Sequence, residues 1–471
     1  MTAPSRPIRS VEDLRGRHAL VLGLARSGIA ASRFLADAGA TVTAYDRRSV
    51  ADLSDSVAAL DGRPVRLALG ATEDEARQLI DAADLLVTSP SVSARFPTTD
   101  AWLRDALGAA ETRGAEIVSE VGLFLRLTRA KVVGVTGTKG KTTTSSLLAA
   151  MLAETGIPHV LGGNIGTPLI ELVPTLAPDA WAVVELSELQ LPTIDRGADV
   201  AVYTNVGEDH LDRHGSVEAY RAVKARLAEL TAPHGRVVLN RDDAGCRELA
   251  RRLPPESLAW YGLEPADGLA ASLSADGWLV VGEERILPIA EVRLPGRHLL
   301  ADVLAAALGA HLAGAATRDI AEAVRRFGGV AHRLETVAER RGVRWVNDSQ
   351  ATIPVAAIAA LEAFDAPIVL IAGGKDKGLE YGAFADAIVA RVRAAVLIGE
   401  TGDELQALIG GRVPVHRAPS MSEAVSRVAE LAQPGDVALL APAAASFDMF
   451  VDYEARGDAF RAAVAALEVS S

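Results

Sequence analysis

One stretch of the sequence decides the fold: Gly134-Val135-Thr136-Gly137-Thr138-Lys139-Gly140-Lys141-Thr142-Thr143. It follows the apolar run 132–135 and precedes the helical pattern 142–154, so it predicts a strand, a glycine-rich loop and a helix. In such a loop, backbone N–H groups and the helix N-terminus hold phosphate oxygens, a lysine adds positive charge and a threonine hydroxyl reaches Mg²⁺. The stretch therefore predicts a nucleotide-binding loop, although Val135 stands where the strict motif has glycine.

Apolar runs alternate with helical patterns on both sides of this loop. This alternation predicts an α/β protein built from doubly wound, mostly parallel sheets. The pattern restarts near 127 and again after Phe327-Gly328-Gly329, so we expect three domains at 1–126, 127–329 and 330–471. The predicted strands are 19–23, 41–45, 84–88, 116–119, 132–135, 182–186, 200–205, 236–240, 344–347, 368–373, 395–399 and 437–441.

Composition restricts the possible functions. The 471 residues are 49% apolar and 23% charged, which is typical of a folded globular protein. With 48 basic and 61 acidic residues, the net charge is −13, so we expect no binding to nucleic acid or anionic lipid. A single cysteine, Cys246, excludes an internal disulfide framework, and the N-terminus lacks a signal-peptide pattern. We therefore expect a cytoplasmic protein without membrane insertion.

Three further groups are candidates for metal binding or catalysis. Glu185 closes the apolar run 182–184, and Asp209-His210 follows the predicted strand 200–205. Because ligands bind at the carboxyl ends of strands in such sheets, these groups could hold a metal beside the P-loop threonine. From the residues alone, His210 could equally be a loop or capping histidine, and Lys224 a solvated lysine on a helix.

Taken together, ordered motifs along nearly the whole chain resemble the Mur ligase family. They are the P-loop segment 137–143, Gly163-Asn164-Ile165-Gly166, Glu185-Leu186-Ser187, Glu208-Asp209-His210-Leu211-Asp212, Tyr220-Arg221-Ala222-Val223-Lys224, Leu294-Pro295-Gly296-Arg297-His298, His332-Arg333-Leu334-Glu335, Asn347-Asp348-Ser349 and Gly373-Gly374. The resemblance implies a Rossmann-like N-terminal domain for a UDP group, a central ATPase domain, and a Rossmann-like C-terminal domain that binds an amino acid and part of the nucleotide.

The resemblance also implies a reaction. ATP would phosphorylate the terminal carboxylate of UDP-N-acetylmuramoyl-L-alanine, and the amine of glutamate would attack the acyl phosphate, in peptidoglycan precursor synthesis. Lys141, His210 and Lys224 would be catalytic, with two Mg²⁺ ions held by Thr142, Glu185, His210 and a carbamate on Lys224. A lysine close to cations can be neutral and take up CO₂, which yields the bridging anion.

Binding residues follow by position in the same motifs. The nucleotide would contact Gly137, Thr138, Lys139, Gly140, Lys141, Thr142, Thr143, Asp302, Arg333 and Asp348. The UDP substrate would contact Ser27, Asp46, Arg47, Arg48, Ser89 and Asn164. Glutamate would contact Thr352, Lys377, Ser446 and Tyr453. From the residues alone, the glycine turn 23–28 could instead serve only to pack a strand against a helix.

Several positions depart from the family pattern. Leu299 and Asp302 replace asparagines, and an Asp302 carboxylate cannot donate the hydrogen bonds of an amide to adenine. Gln350 and Ile353 replace a lysine and an asparagine, so a positive charge near the amino-acid carboxylates is missing. We expect D-glutamate as the acceptor, and L-glutamate or another acceptor stays open.

Other classes are less consistent with the sequence. A folylpolyglutamate synthase shares the central domain but not a full module before the P-loop. A P-loop switch or motor ATPase would hydrolyse ATP without either substrate, and an NAD-dependent oxidoreductase is disfavoured because Ala25 replaces the second glycine of its motif. We expect a monomer.

Overall fold

The computed structural model describes residues 7–90, 92–96, 98–207, 216–264, 266–294, 297–376 and 378–467. The chain divides into two compact units, with the boundary between Phe327 and Gly328. The described residues form three β-sheets, of which two belong to the first unit and one to the second. Among the helices in these ranges, none combines the length and the apolar composition of a membrane span.

The first sheet has the order β3-β2-β1-β4-β5, and its strands are all parallel. Val21 packs in one hydrophobic cluster and its neighbours Leu20 and Leu22 in another, so β1 is buried on both faces, as parallel sheets require. The elements are β1 (His18–Leu22), α1 (Arg26–Asp37), β2 (Thr41–Asp46), α2 (Ser54–Ala58), β3 (Val65–Leu69), α3 (Glu73–Ala82), β4 (Leu85–Thr88), α4 (Ala101–Thr112), β5 (Glu116–Ser119) and α5 (Glu120–Leu127).

The second sheet has the order β14-β13-β12-β11-β10-β9-β6-β8-β7. It is parallel from β7 to β12 and antiparallel from β12 to β14. Its strands are β6 (Lys131–Thr136), β7 (His159–Gly163), β8 (Trp181–Glu185), β9 (Val200–Tyr203), β10 (Arg236–Asn240), β11 (Leu258–Gly262), β12 (Leu269–Leu273), β13 (Trp278–Val281) and β14 (Glu284–Pro288). Its helices are α6 (Lys141–Thr155), α7 (Val217–Thr231), α8 (Ala244–Ala250), α9 (Arg297–Leu312) and α10 (Thr317–Arg326), and α6 packs against α9 and α10.

The third sheet, in the second unit, has the order β15-β16-β20-β17-β18-β19. Only the edge pair β15 and β16 is antiparallel. Its elements are β15 (Glu335–Arg340), β16 (Val343–Asn347), α11 (Pro354–Glu362), β17 (Ile368–Gly373), α12 (Gly382–Arg391), β18 (Val392–Ile398), α13 (Gly402–Ile409), β19 (Val415–Arg417), α14 (Met421–Leu431), β20 (Val437–Leu440) and α15 (Tyr453–Ala466).

The predicted fold class, three α/β modules with mostly parallel sheets, is confirmed. The sequence prediction missed β3, β7, β15, β19 and the whole segment β11 to β14. That segment extends the central sheet by two parallel strands, β11 and β12, and by the antiparallel hairpin β13–β14, and many of its residues are only partly buried. Short strands with this burial lack the continuous apolar runs that marked the central strands.

Candidate active site

The P-loop lies between β6 and α6, where the carboxyl ends of the central strands meet. Gly140 has φ +82° and precedes the first residue of α6, and a β-carbon there would collide with the Asp302 carboxylate. Glycine is therefore required both by backbone conformation and by space. The Lys141 ammonium donates to the carbonyls of Gly137 and Thr138, at 3.0 Å each, so it lies folded onto its own loop.

Lys224 reaches the same loop from α7. Its side chain is fully buried, and its ammonium donates to the Gly137 carbonyl at 2.9 Å and to the Thr136 hydroxyl at 3.3 Å. The ring of Tyr220 lies 5.6 Å from the Lys224 nitrogen, and the Tyr220 hydroxyl is 3.0 Å from that of Thr138. Lys224 is thus not a solvated helix lysine, and two lysines share one carbonyl oxygen of the P-loop.

Glu185 supplies a buried carboxylate beside this loop. Strand β8 pairs with β6 so that Glu185 lies opposite Val135, and only 1% of Glu185 is exposed. Its Oε1 accepts a hydrogen bond from the Asn164 amide at 2.9 Å, and its Oε2 lies 3.4 Å from the Ser145 hydroxyl. The same hydroxyl lies 3.3 Å from the carbonyl of Thr142, so Ser145 connects the predicted metal ligands Thr142 and Glu185.

The donor set suits a hard cation. Carboxylate and hydroxyl oxygens are the ligands that Mg²⁺ prefers, and Glu185 and Thr142 offer both at the start of α6. No group of three acidic, histidine or cysteine side chains that could hold a metal occurs among the residues that the structure describes. The predicted ligand His210 lies outside those residues, as does the predicted glutamate ligand Lys377.

Two more polar residues, Asn205 and Asp302, lie against the P-loop. The Asn205 side chain accepts from the Lys139 N–H and donates to the Lys139 carbonyl, both at 3.0 Å. Asn205 was not selected from the sequence, although its position at the end of β9 was a usable signal. The Asp302 carboxylate is buried against Gly140, so the structure places this predicted nucleotide residue directly at the loop.

Five of the six predicted UDP residues line two adjoining spaces in the N-terminal sheet, whereas the sixth, Asn164, contacts Glu185. Ser27 and Ser89 line a cavity of about 140 Å³ at the glycine turn. A cleft of about 580 Å³ is lined by Ser89 together with Asp46, Arg47 and Arg48. Gly28 packs so closely on the Gly23 carbonyl that a side chain there would collide, so the turn also has the packing role left open above.

The charges in this cleft are already paired. Arg48 donates to both carboxylate oxygens of Asp46, at 3.1 and 2.9 Å, and the backbone N–H of Leu24 donates to Asp46 Oδ2 at 2.9 Å. Burial alone would raise the pKa of Asp46, but the hydrogen bonds from Arg48 and Leu24 lower it to about 2. Arg47 forms an ion pair with Asp100. Asp46 thus fixes Arg48 at the cleft rather than offering a free carboxylate.

In the second unit, the predicted residues gather at the carboxyl ends of β16 and β20. Asp348 follows β16 and accepts from the Leu334 N–H at 2.9 Å. Burial raises the pKa of Asp348 to about 6, against the opposing effects of that hydrogen bond and of the Arg333 charge. His332 and Leu334 both have positive φ, at +61° and +43°, so the backbone around Arg333 adopts an uncommon conformation.

Arg456 joins the segments that carry the predicted glutamate residues. It is fully buried on α15, and it donates to the Ser349 hydroxyl and carbonyl at 3.0 and 2.9 Å. It also donates to the carbonyls of Ala444 and Ala445, at 3.0 Å each, next to the buried Ser446. The Ser349 hydroxyl donates to the carbonyl of Tyr453 at 2.8 Å, while Thr352 is half-buried three residues further along.

Arg456 was not selected from the sequence, although a signal existed. Arg456, Gly457, Phe460 and Val464 recur at helical spacing, and all four are buried. A charged residue inside an otherwise apolar stripe of a helix is an exception that points to a specific role.

Comparison with known proteins identifies the class to which this fold and site belong. Residues 17–118 match the family model for the N-terminal domain of MurD-like Mur ligases, residues 135–310 that for the Mur ligase middle domain, and residues 332–444 that for the Mur ligase glutamate ligase domain. The chain therefore belongs to the Mur ligase family, whose members are ATP-dependent amide ligases.

Individual relatives indicate a particular branch of the family. A UDP-N-acetylmuramoylalanine–D-glutamate ligase of Symbiobacterium thermophilum is 40% identical over 456 residues, which cover 95% of this chain and 98% of the relative. One of Solibacter usitatus is 38% identical, over 97% and 99% of the two chains. Among solved structures, the UDP-N-acetylmuramate-alanine ligase MurC of Thermotoga maritima shares the fold, with TM-score 0.53, 16% identity, and 96% and 99% coverage.

Proposed function

We propose that this chain is an ATP-dependent ligase that joins D-glutamate to UDP-N-acetylmuramoyl-L-alanine in peptidoglycan precursor synthesis. The proposal extends the activity of its full-length relatives to a chain whose motifs occur in the same order. One observation carries it further than a P-loop alone would: Lys224, buried on a separate helix, contacts the P-loop at Gly137, and the same P-loop segment lies opposite the strand that ends in the buried Glu185.

The chemistry proceeds in two steps. An oxygen of the alanine carboxylate attacks the γ-phosphorus of ATP, the bond to the β-phosphate oxygen breaks, and an acyl phosphate and ADP form. The neutral amine of glutamate then attacks the acyl carbon, its nitrogen loses a proton to solvent, and the bond from the acyl carbon to the phosphate oxygen breaks as the amide forms. Both steps bring anions together, so a preorganised cluster of positive charge lowers their barriers. Lys141 supplies this charge once it leaves the carbonyls of its own loop for the phosphates.

Lys224 has a different role in this proposal. Its neutral amine adds to CO₂ and loses a proton, which gives a carbamate anion on a long side chain. Thr142, Glu185, the carbamylated Lys224 and His210 would hold Mg²⁺, which neutralises phosphate charge when bound. Lys224 and Lys141 both donate to the Gly137 carbonyl, which supports this role. Two ammonium groups that lie close together repel each other, and this repulsion favours the neutral amine that reacts with CO₂.

Substrate sites are proposed for the remaining residues. The UDP group would occupy the N-terminal cleft, where Arg48 is held by Asp46 and keeps unused guanidinium donors for an anion. Asp348 would accept from the ribose hydroxyls, and Ser446, Tyr453, Thr352 and Lys377 would bind glutamate. We also propose the domain ranges 1–126, 127–329 and 330–471, a monomeric state and a cytoplasmic location; the three family-model ranges fall within the proposed domains.

The decisive experiment is a side-by-side assay of the purified chain. ADP release is followed with ATP, Mg²⁺ and UDP-N-acetylmuramoyl-L-alanine, with D-glutamate, with L-glutamate or with neither. We expect release that depends on D-glutamate, together with the amide product. Turnover without an acceptor would favour a simple ATPase, and equal use of L-glutamate would contradict a preference for the D-isomer.

A further inference from the structure

A buried carboxyl group, Glu120, lines the cavity at the N-terminal glycine turn. The cavity measures about 140 Å³, and its wall includes Gly23, Ser27, Ser89 and Glu120. Glu120 is the first residue of α5 and is only 4% exposed. Ser27 and Ser89, two of the residues predicted to contact the UDP substrate, therefore share one small space with this carboxyl group.

The surroundings of Glu120 connect two parts of the first unit. Its Oε1 accepts from the backbone N–H of Ile170 at 2.8 Å. Ile170 begins a short 3-10 helix that follows the loop containing Asn164, the residue that donates to Glu185. Glu120 thus joins the glycine turn of the N-terminal sheet to a segment that leads back to the P-loop site.

In the described part of the chain, the charged groups around Glu120 do not form a close ion pair with its carboxylate. Arg26 on α1 is exposed and acts on the carboxyl by its charge, whereas Glu171 on the 3-10 helix acts in the opposite sense. Arg33, also on α1, pairs with Glu171 at 3.0 Å. Burial raises the pKa of Glu120 to about 7, although the backbone N–H groups of Ile170 and Leu169 favour its charged form.

A diphosphate in this cavity would add negative charge beside the carboxylate. Both phosphates of a UDP sugar are esterified, so neither takes up a proton near neutral pH. Two like charges in one poorly solvated space disfavour each other's ionised form. The carboxyl group is the only one of the two partners that can relieve this repulsion by accepting a proton.

We propose that Glu120 is a proton-linked binding residue of the N-terminal cavity, which takes up a proton from solvent when the diphosphate of the UDP substrate binds. In the protonated form it can donate a hydrogen bond to a phosphate oxygen and still accept from Ile170. The inference rests on the proposed function, because it takes the diphosphate as the occupant of the glycine turn.

Calorimetry on the full chain tests this directly. Binding of UDP-N-acetylmuramoyl-L-alanine is measured at about pH 8 in two buffers of different ionisation enthalpy. The difference between the two binding enthalpies gives the number of protons taken up. We expect uptake of about half a proton to one proton, and an affinity that falls above neutral pH by up to about tenfold per pH unit. Glu120→Gln keeps an acceptor for Ile170 but cannot ionise, so it should bind without that uptake and with a nearly constant affinity.

Ser89→Ala is the matched control, because it removes a non-titrating group from the same cavity. It should weaken binding and retain the proton uptake. Absence of uptake by the unmodified chain, or equal uptake by Glu120→Gln, would overturn the inference while leaving the substrate assignment intact. Absence of binding at any pH would reject the proposed substrate, and the inference with it.

Discussion

Two buried cations, Lys224 in the central sheet region and Arg456 in the C-terminal unit, occupy similar positions with different chemistry. Each lies in the buried stripe of a helix, and each donates to backbone carbonyls of a loop at the carboxyl ends of strands. A lysine amine can lose its proton and react, whereas a guanidinium keeps its charge at neutral pH. Burial lowers the pKa of Arg456 only to about 10.

From this difference we infer that Lys224 belongs to a reactive site and Arg456 to a permanent scaffold. Lys224 donates hydrogen bonds to the Gly137 carbonyl and the Thr136 hydroxyl of the P-loop, and a carbamylated side chain could give up both. Arg456 makes four hydrogen bonds that tie together segments about a hundred residues apart in sequence. We infer that replacing Lys224 mainly removes activity, and that replacing Arg456 mainly removes structure.

The largest effect on activity is expected at Lys141, which shares the Gly137 carbonyl with Lys224. Lys141→Ala removes a charge for which the developing phosphate anion has no substitute, so amide formation should fall by about 10³-fold or more. The loop lysine is half-buried and is not part of the hydrophobic core, so the variant should still fold. Product formation is measured by chromatography and folding by circular dichroism. Near-normal turnover would reject the P-loop assignment.

Lys224→Ala tests the reactive role of Lys224, because an added carboxylate can replace the proposed carbamate. We expect turnover to fall by about 10²-fold or more, since the proposed metal site would lose an anionic ligand. Formate or acetate should partly restore activity by occupying the emptied space, and neither should restore Lys141→Ala. Rates are measured over a range of carboxylate concentrations with the ionic strength held constant by chloride. Full activity of Lys224→Ala without added carboxylate would exclude the carbamate.

Arg456→Met tests the other half of the comparison. Removing the guanidinium leaves the carbonyls of Ser349, Ala444 and Ala445 without these partners, which should lower the stability of the C-terminal unit by about 3 kcal/mol. Hydrogen exchange of β16 and β20 amides measures this locally, since a chain of several domains need not unfold in one step. Arg427 forms an exposed ion pair with Glu430, so Arg427→Ala should change the stability of the C-terminal unit by less than about 0.5 kcal/mol. Equal effects of the two variants would contradict the scaffold role.

The features that depend on residues close together in the chain could be predicted from the sequence. The strand, loop and helix around the P-loop, and the position of Glu185 at the end of β8, followed from local apolar runs and glycines. The burial of Lys224 and Arg456 did not, because their partners are distant: Thr136 is 88 residues from Lys224, and Ser349 is 107 residues from Arg456. The hairpin β13–β14 was missed because it lies at the edge of the sheet with only part of each strand buried.

The smallest expected effect concerns Asp348, a buried group that titrates near the physiological range. Its pKa of about 6 means that the carboxylate is present above that pH and becomes protonated as the pH falls through it. If the ionised form accepts from the ribose hydroxyls, the KM for ATP should rise a few-fold below about pH 6 while kcat changes less. Asp348→Asn should have a raised KM with less dependence on pH, and measuring both proteins together removes the titration of ATP itself. The same pH profile in both would show that Asp348 does not contact the nucleotide.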